Sequence, residues 1–145
     1  MGMLKTMVAI ACFSLGVPLG QGAAAQEATA PFLSIELNAT EQQAGACRLI
    51  FMAENGLGAD LTALVFETVL LDGDGKVMLL TLFDFQDVPN GRPRVRQFDL
   101  PGLDCAALGR VLLNDVHACT GPGLTADACK TGLRWSSRTG VEVVG

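Results

Sequence analysis

The chain contains no tyrosine, one tryptophan and one histidine. Each scarcity removes a class of protein. Without tyrosine there is no tyrosine corner of the antibody type, and Trp135 lies near the C-terminus rather than in a central strand. One imidazole, His117, is too few ligands for a zinc or copper site unless other donors converge on it. Hydrolysis by a Ser–His–acid set would need that histidine beside an activated serine, and no Gly-x-Ser-x-Gly stretch occurs. No Cys-x-x-Cys occurs either, which argues against a thiol–disulfide catalyst. Only Met52 and Met78 follow the first 25 residues, so there is no methionine-rich copper motif. The sequence predicts a protein that is not an enzyme and needs no metal or other cofactor.

Basic residues are also scarce. Ten Lys and Arg stand against fifteen Asp and Glu. An acidic chain does not attract nucleic acid or an anionic membrane through its overall field. Long apolar runs are confined to the beginning. Met7 to Leu19 is apolar, follows the lone charge Lys5, and is short for a bilayer span. Ala23-Ala24-Ala25 supplies small residues for cleavage before Gln26. No arginine pair precedes the run, so it reads as a Sec signal rather than a twin-arginine one. The expected organisation is a signal peptide over 1–25, a flexible mature N-terminus over 26–31, and one domain over 32–145. No membrane insertion is expected once the signal is removed, and the expected location is periplasmic or secreted.

Of the five cysteines, Cys12 leaves with the signal. Cys47, Cys105, Cys119 and Cys129 remain, an even set that predicts two disulfides in an exported chain. Four cysteines allow three connectivities. Closure of one local loop makes Cys119–Cys129 the first expectation, and Cys47–Cys105 follows by elimination.

The rest of the chain reads as strands and turns. Leu33, Ile35 and Leu37 alternate with Ser34 and Glu36, and Cys47, Leu49, Phe51 and Ala53 alternate with polar neighbours. Asn38 to Gly45 reads as a polar turn, and "NGLGAD" (55–60) as a loop. Ala63–Leu71 and Val77–Phe85 flank Asp72-Gly73-Asp74-Gly75, the pattern of a hairpin. Arg94–Leu100, Arg110–Val116, Gly132–Arg138 and Val141–Val144 are further strands. Asp104 to Gly109 predicts a helical turn capped by Asp104 and ended by Gly109, and Thr125–Lys130 a second one. Short strands with turns every 8 to 12 residues predict an all-β fold. The expected architecture is an Ig-like or fibronectin-III-like antiparallel β-sandwich of seven or eight strands, with a small closed barrel as runner-up.

Two family resemblances bear on this. "ENGLGADLTALVFETVLLDGDGKV" (54–77) resembles the second and third strands of FxLYD-type bacterial Ig-like domains. Leu70 and Asp72 match the motif, while Thr68 and Leu71 replace its Phe and Tyr. "NGLGADL", "VRQFDLPGLDCAALGRVLLND" and "SSRTGVE" resemble a family of small exported alphaproteobacterial proteins labelled "Tat pathway signal sequence domain protein". That resemblance implies an exported β-sandwich and no particular chemistry.

Three clusters are candidate sites. Asp115, His117, Cys119 and Cys129 would be a metal or redox set only if the cysteines were reduced. Asp72 to Gly75 could be part of a calcium loop, but lacks the remaining ligands and the distal glutamate; a tight turn explains it. "GRPRVRQF" (91–98) spaces Arg92, Arg94 and Arg96 two apart, on one side of an extended chain. They would form an anion- or partner-binding stripe, or guard a sheet edge. Phe98 and Leu100 share their parity. Either a bulge near Gln97 resets the face, or the arginine stems cover the sandwich edge. The function expected is that of an exported, non-catalytic binding module whose partner is an envelope protein, engaged through a sheet edge or the stripe. The alternative is a metal-binding or thiol-redox role for His117 and the cysteines.

Overall fold

A computed structural model describes Met1, Gly2 and residues 29–145. The expected signal peptide and the start of the mature N-terminus therefore lie outside the described residues. Eight strands form: β1 Phe32–Gln43, β2 Ala46–Gly56, β3 Leu61–Asp72, β4 Val77–Val88, β5 Arg94–Pro101, β6 Leu108–Thr120, β7 Leu133–Ser137 and β8 Glu142–Val144. They build two four-stranded sheets, ordered β5-β2-β1-β7 and β4-β3-β6-β8. Apolar residues at every second position face inward from both sheets. Leu33, Ile35, Leu37, Leu49, Phe51 and Phe66 are fully buried, as the period-2 pattern requires. Phe51 and Phe85 pack edge-to-face at 5.7 Å, and Phe83 stacks on Phe98 at 4.2 Å across the two sheets. The all-β sandwich expected from the sequence is the fold.

Several local expectations change. The sandwich is not wholly antiparallel: β7 pairs parallel with β1, and β8 parallel with β6. The final segment passes from one sheet to the other at Arg138–Val141. Side-chain and backbone bonds of Ser137 and Thr139 shape that crossing. Asn38–Gln43 is not a turn but the second half of β1, after a bulge between Leu37 and Ala39. The reversal itself is confined to Ala44 and Gly45, with Gly45 at φ 74°. Glycine reaches that left-handed backbone without the Cβ penalty, so the polar strand can continue to the turn.

The helical turn after β5 is a 3-10 turn over Cys105–Ala107, and the Asp104 carboxylate accepts from the Ala106 N–H. Gly109 does not end it, because Leu108 is already extended and Gly109 lies inside β6. A Cβ there would come within 2.7 Å of the Asp72 carbonyl, so Gly109 permits close strand approach. Residues 125–130 form hydrogen-bonded turns, with the Ala128 and Lys130 N–H groups donating to the carbonyls three residues back and Thr131 N–H to the Asp127 carbonyl. The disulfides join Cys47 to Cys105 and Cys119 to Cys129.

Candidate functional site: two unequal sheet edges

The arginine stripe occupies one edge of the sandwich. β5 is the outer strand of its sheet and pairs with β2 without a register break from Arg94 to Pro101. No bulge resets the face at Gln97, so Arg94 and Arg96 share the inward parity of Phe98 and the buried Leu100. Their stems cover the mouth of the sandwich. Arg96 donates from Nε to the Phe85 carbonyl at 2.7 Å and from Nη2 to the Asp87 carbonyl at 2.9 Å. Nη2 also lies 3.2 Å from Asp87 Oδ1, and Arg94 reaches Asp87 Oδ2 at 3.6 Å. Two of the three stripe arginines are thus engaged with the end of β4. Arg92 sits apart, exposed in the β4–β5 turn.

The hairpin and loop residues have structural partners. Asp72 Oδ1 accepts from the N–H groups of Asp74 and Lys76, at 3.0 and 2.8 Å. Both bonds close the turn. Asn55 is 1% exposed; its amide donates to the Ala59 and Val88 carbonyls, and its Oδ1 accepts from Leu57 N–H. Sequence reading placed a loop there without seeing that Asn55 ties it to β4. An asparagine just before a glycine-containing loop is the available signal.

Around the cysteine loop, the Cys119 and Cys129 sulfurs are joined to each other. Asp115 is bonded to Lys130 at 2.8 Å, and this bond holds the Asp115 carboxyl below the ordinary aspartate range. His117 is half exposed, with Nδ1 3.8 Å from Glu67 Oε1. Among the described residues no group of three or more His, Cys, Asp or Glu converges in a way that could hold a metal. The arrangement is a staple beside the Asp115–Lys130 ion pair.

The surface that sequence reading missed is β4. It is the outer strand of the second sheet and twelve residues long. Its first half, "VMLLTL" (77–82), carries no charge. Val77, Met78, Leu79, Leu80 and Leu82 are all exposed, Leu80 at 69%. The register explains the two faces. Leu79, Thr81 and Phe83 lie opposite the buried Leu70, Thr68 and Phe66, whereas Leu80 and Leu82 lie opposite Val69 and Glu67 on the outer face. Beside Leu80, Leu82 and Val69 runs an open groove of about 380 Å³, with Glu67 and His117 on its rim. An apolar run without alternation ordinarily marks a strand covered on both faces. Here the sheet leaves it uncovered, and that mismatch is the readable signal.

The fold and its edges define a small disulfide-stapled β-sandwich. β1, β2 and β5 share one sheet and β4, β3 and β6 the other, an arrangement like the A-B-E and C′-C-F strands of Ig-type sandwiches. No protein-family model matches the chain, and no curated protein matches it. Among solved structures, IrmA from Escherichia coli is similar in fold, with a TM-score of 0.52 and 12% identity. The match covers 74% of this chain and 92% of IrmA. The two disulfides are compatible with a location outside the cytoplasm.

Proposed function

We propose that this is an exported, non-catalytic interaction module of the cell envelope, periplasmic or secreted, that binds its partner through the edge and outer face of β4. The observation that carries the reading is the exposed apolar stretch Val77–Leu82 on an outer strand. Monomeric soluble domains blunt such edges with charge, proline or brevity, and contiguous exposed apolar surface marks interaction sites. An open strand offers unpaired N–H and C=O groups, so a partner adds a strand and seats apolar side chains beside Leu80 and Leu82. The apolar run at 7–19 before Ala23–Ala25, and the even cysteine set after it, support export. The acidic balance argues against nucleic acid as partner.

The test is retention of envelope proteins on immobilised protein, wild type against Leu80→Lys/Leu82→Lys. Loss of the retained set in the variant, with an unchanged circular dichroism spectrum, is the expected result. Identical retention by both would overturn the reading.

A further inference from the structure

We infer that the occupant of the β4 edge is a second copy of this chain, paired antiparallel with its own β4 about a twofold axis in the middle of Val77–Asp84. This rests on the reading of β4 as the interaction edge. Four observations identify the occupant.

First, the open stretch has defined ends. At its C-terminal end the carbonyls of Phe85 and Asp87 already accept from Arg96. At its N-terminal end the Asp72–Lys76 turn closes the hairpin. Val77–Asp84 lies between them, roughly 26 Å of strand. Second, the ends carry opposite charge. Lys76 precedes the charge-free run and Asp84 follows it, and neither has an ion-pair partner among the described residues.

Third, self-pairing matches the two charged ends. Residues opposite each other across an antiparallel pair share a face, so the axis must fall on a residue. With the axis at Leu80 or Thr81, in the middle of the open stretch, the extra residues at Met78 and Phe85 leave Lys76 of each copy within one residue of the level of Asp84 of the other. The regular part of β4, Leu79–Asp84, lies between two bulges. The extra residue at Met78 bends the start of the strand, and the long, flexible Lys76 side chain spans that offset. Fourth, the pairing closes. The two four-stranded sheets become one of eight strands, whose outer strands are the three-residue β8 of each copy. An isologous contact of this kind gives a dimer and not a filament.

Sedimentation equilibrium of the purified protein tests this. The expected result is a two-chain mass that falls toward one chain on dilution. Leu80→Lys removes association, and Val95→Lys on β5 leaves it intact. Lys76→Glu puts carboxylates beside each other at both ends and weakens association roughly tenfold. Lys76→Glu/Asp84→Lys restores it to within about threefold by the same cross-strand rule. A one-chain mass at every concentration overturns the proposal, as does a dimer indifferent to Leu80→Lys, or one that the charge swap does not restore. If the protein is one chain but Leu80→Lys/Leu82→Lys still abolishes retention of an envelope protein, the second copy is wrong and the interaction edge stands. If that variant also retains everything, both fail.

Discussion

β4 and β5 are consecutive strands, each outermost in its own sheet, and they are finished in opposite ways. β5 is flanked by Pro93, ends at Pro101, and turns Arg94 and Arg96 inward. Proline has no N–H to offer a new strand, and inward-pointing charge blocks apolar docking. β4 has none of these devices along Val77–Phe83. The same arginines that seal β5 also occupy the end of β4, so the protection is shared and stops at Phe85. An edge left open beside one so heavily guarded is the contrast on which the proposed interaction surface rests.

The largest expected effect removes a constraint on the guarded side. The Cys47–Cys105 bridge closes 58 residues and ties β2 to the turn after β5. In the chain-entropy account such a loop contributes about 4 kcal/mol. Its removal as Cys47→Ala/Cys105→Ala should lower the thermal midpoint by roughly 10–15 °C. Next comes Arg96→Ala. Its side chain is only 19% exposed and donates to two backbone carbonyls. Loss of charge-assisted bonds and of the covering stem should cost about 2 kcal/mol in denaturant unfolding. An unchanged midpoint would mean that the arginines do not seal the edge.

Leu80→Lys should behave in the reverse manner. Stability changes by no more than about 0.5 kcal/mol, because the side chain is already in water, while association is lost. A large destabilisation would show that β4 is part of the core and not a free edge. The smallest effect concerns the acid limb. Arg48 bonds Asp99 of β5 at 2.7 Å, and that bond holds the Asp99 carboxyl below its ordinary value. A lowered folded-state value contributes stability that is present above the unfolded carboxylate pKa. It is lost as pH falls through the lowered folded one. Asp99→Asn should therefore make acid unfolding slightly shallower, and an unchanged profile would contradict the bond's contribution.

Much of the fold was legible because alternation is a direct consequence of a half-buried strand. Leu33–Leu37 and Cys47–Ala53 carry that pattern and face the core as it requires. What local pattern could not convey was which strand lies outermost. The parallel entry of β7 and β8 depends on where the chain end crosses between sheets, and no residue spacing encodes it. The same limit applied to the sites. Parity alone left two readings of Arg94 and Arg96, and the distinction came from Phe85 and Asp87 on another strand. For β4, "VMLLTL" names an apolar strand, but exposure is a property of sheet order and not of the six residues themselves.

Amide hydrogen exchange measured against protein concentration probes both edges at once. Alternate amides of Leu79–Asp84 should become protected as concentration rises, while those of Val95–Asp99 exchange at one rate throughout. Concentration-independent exchange along β4, equal to that of β5, would contradict an edge kept open for pairing.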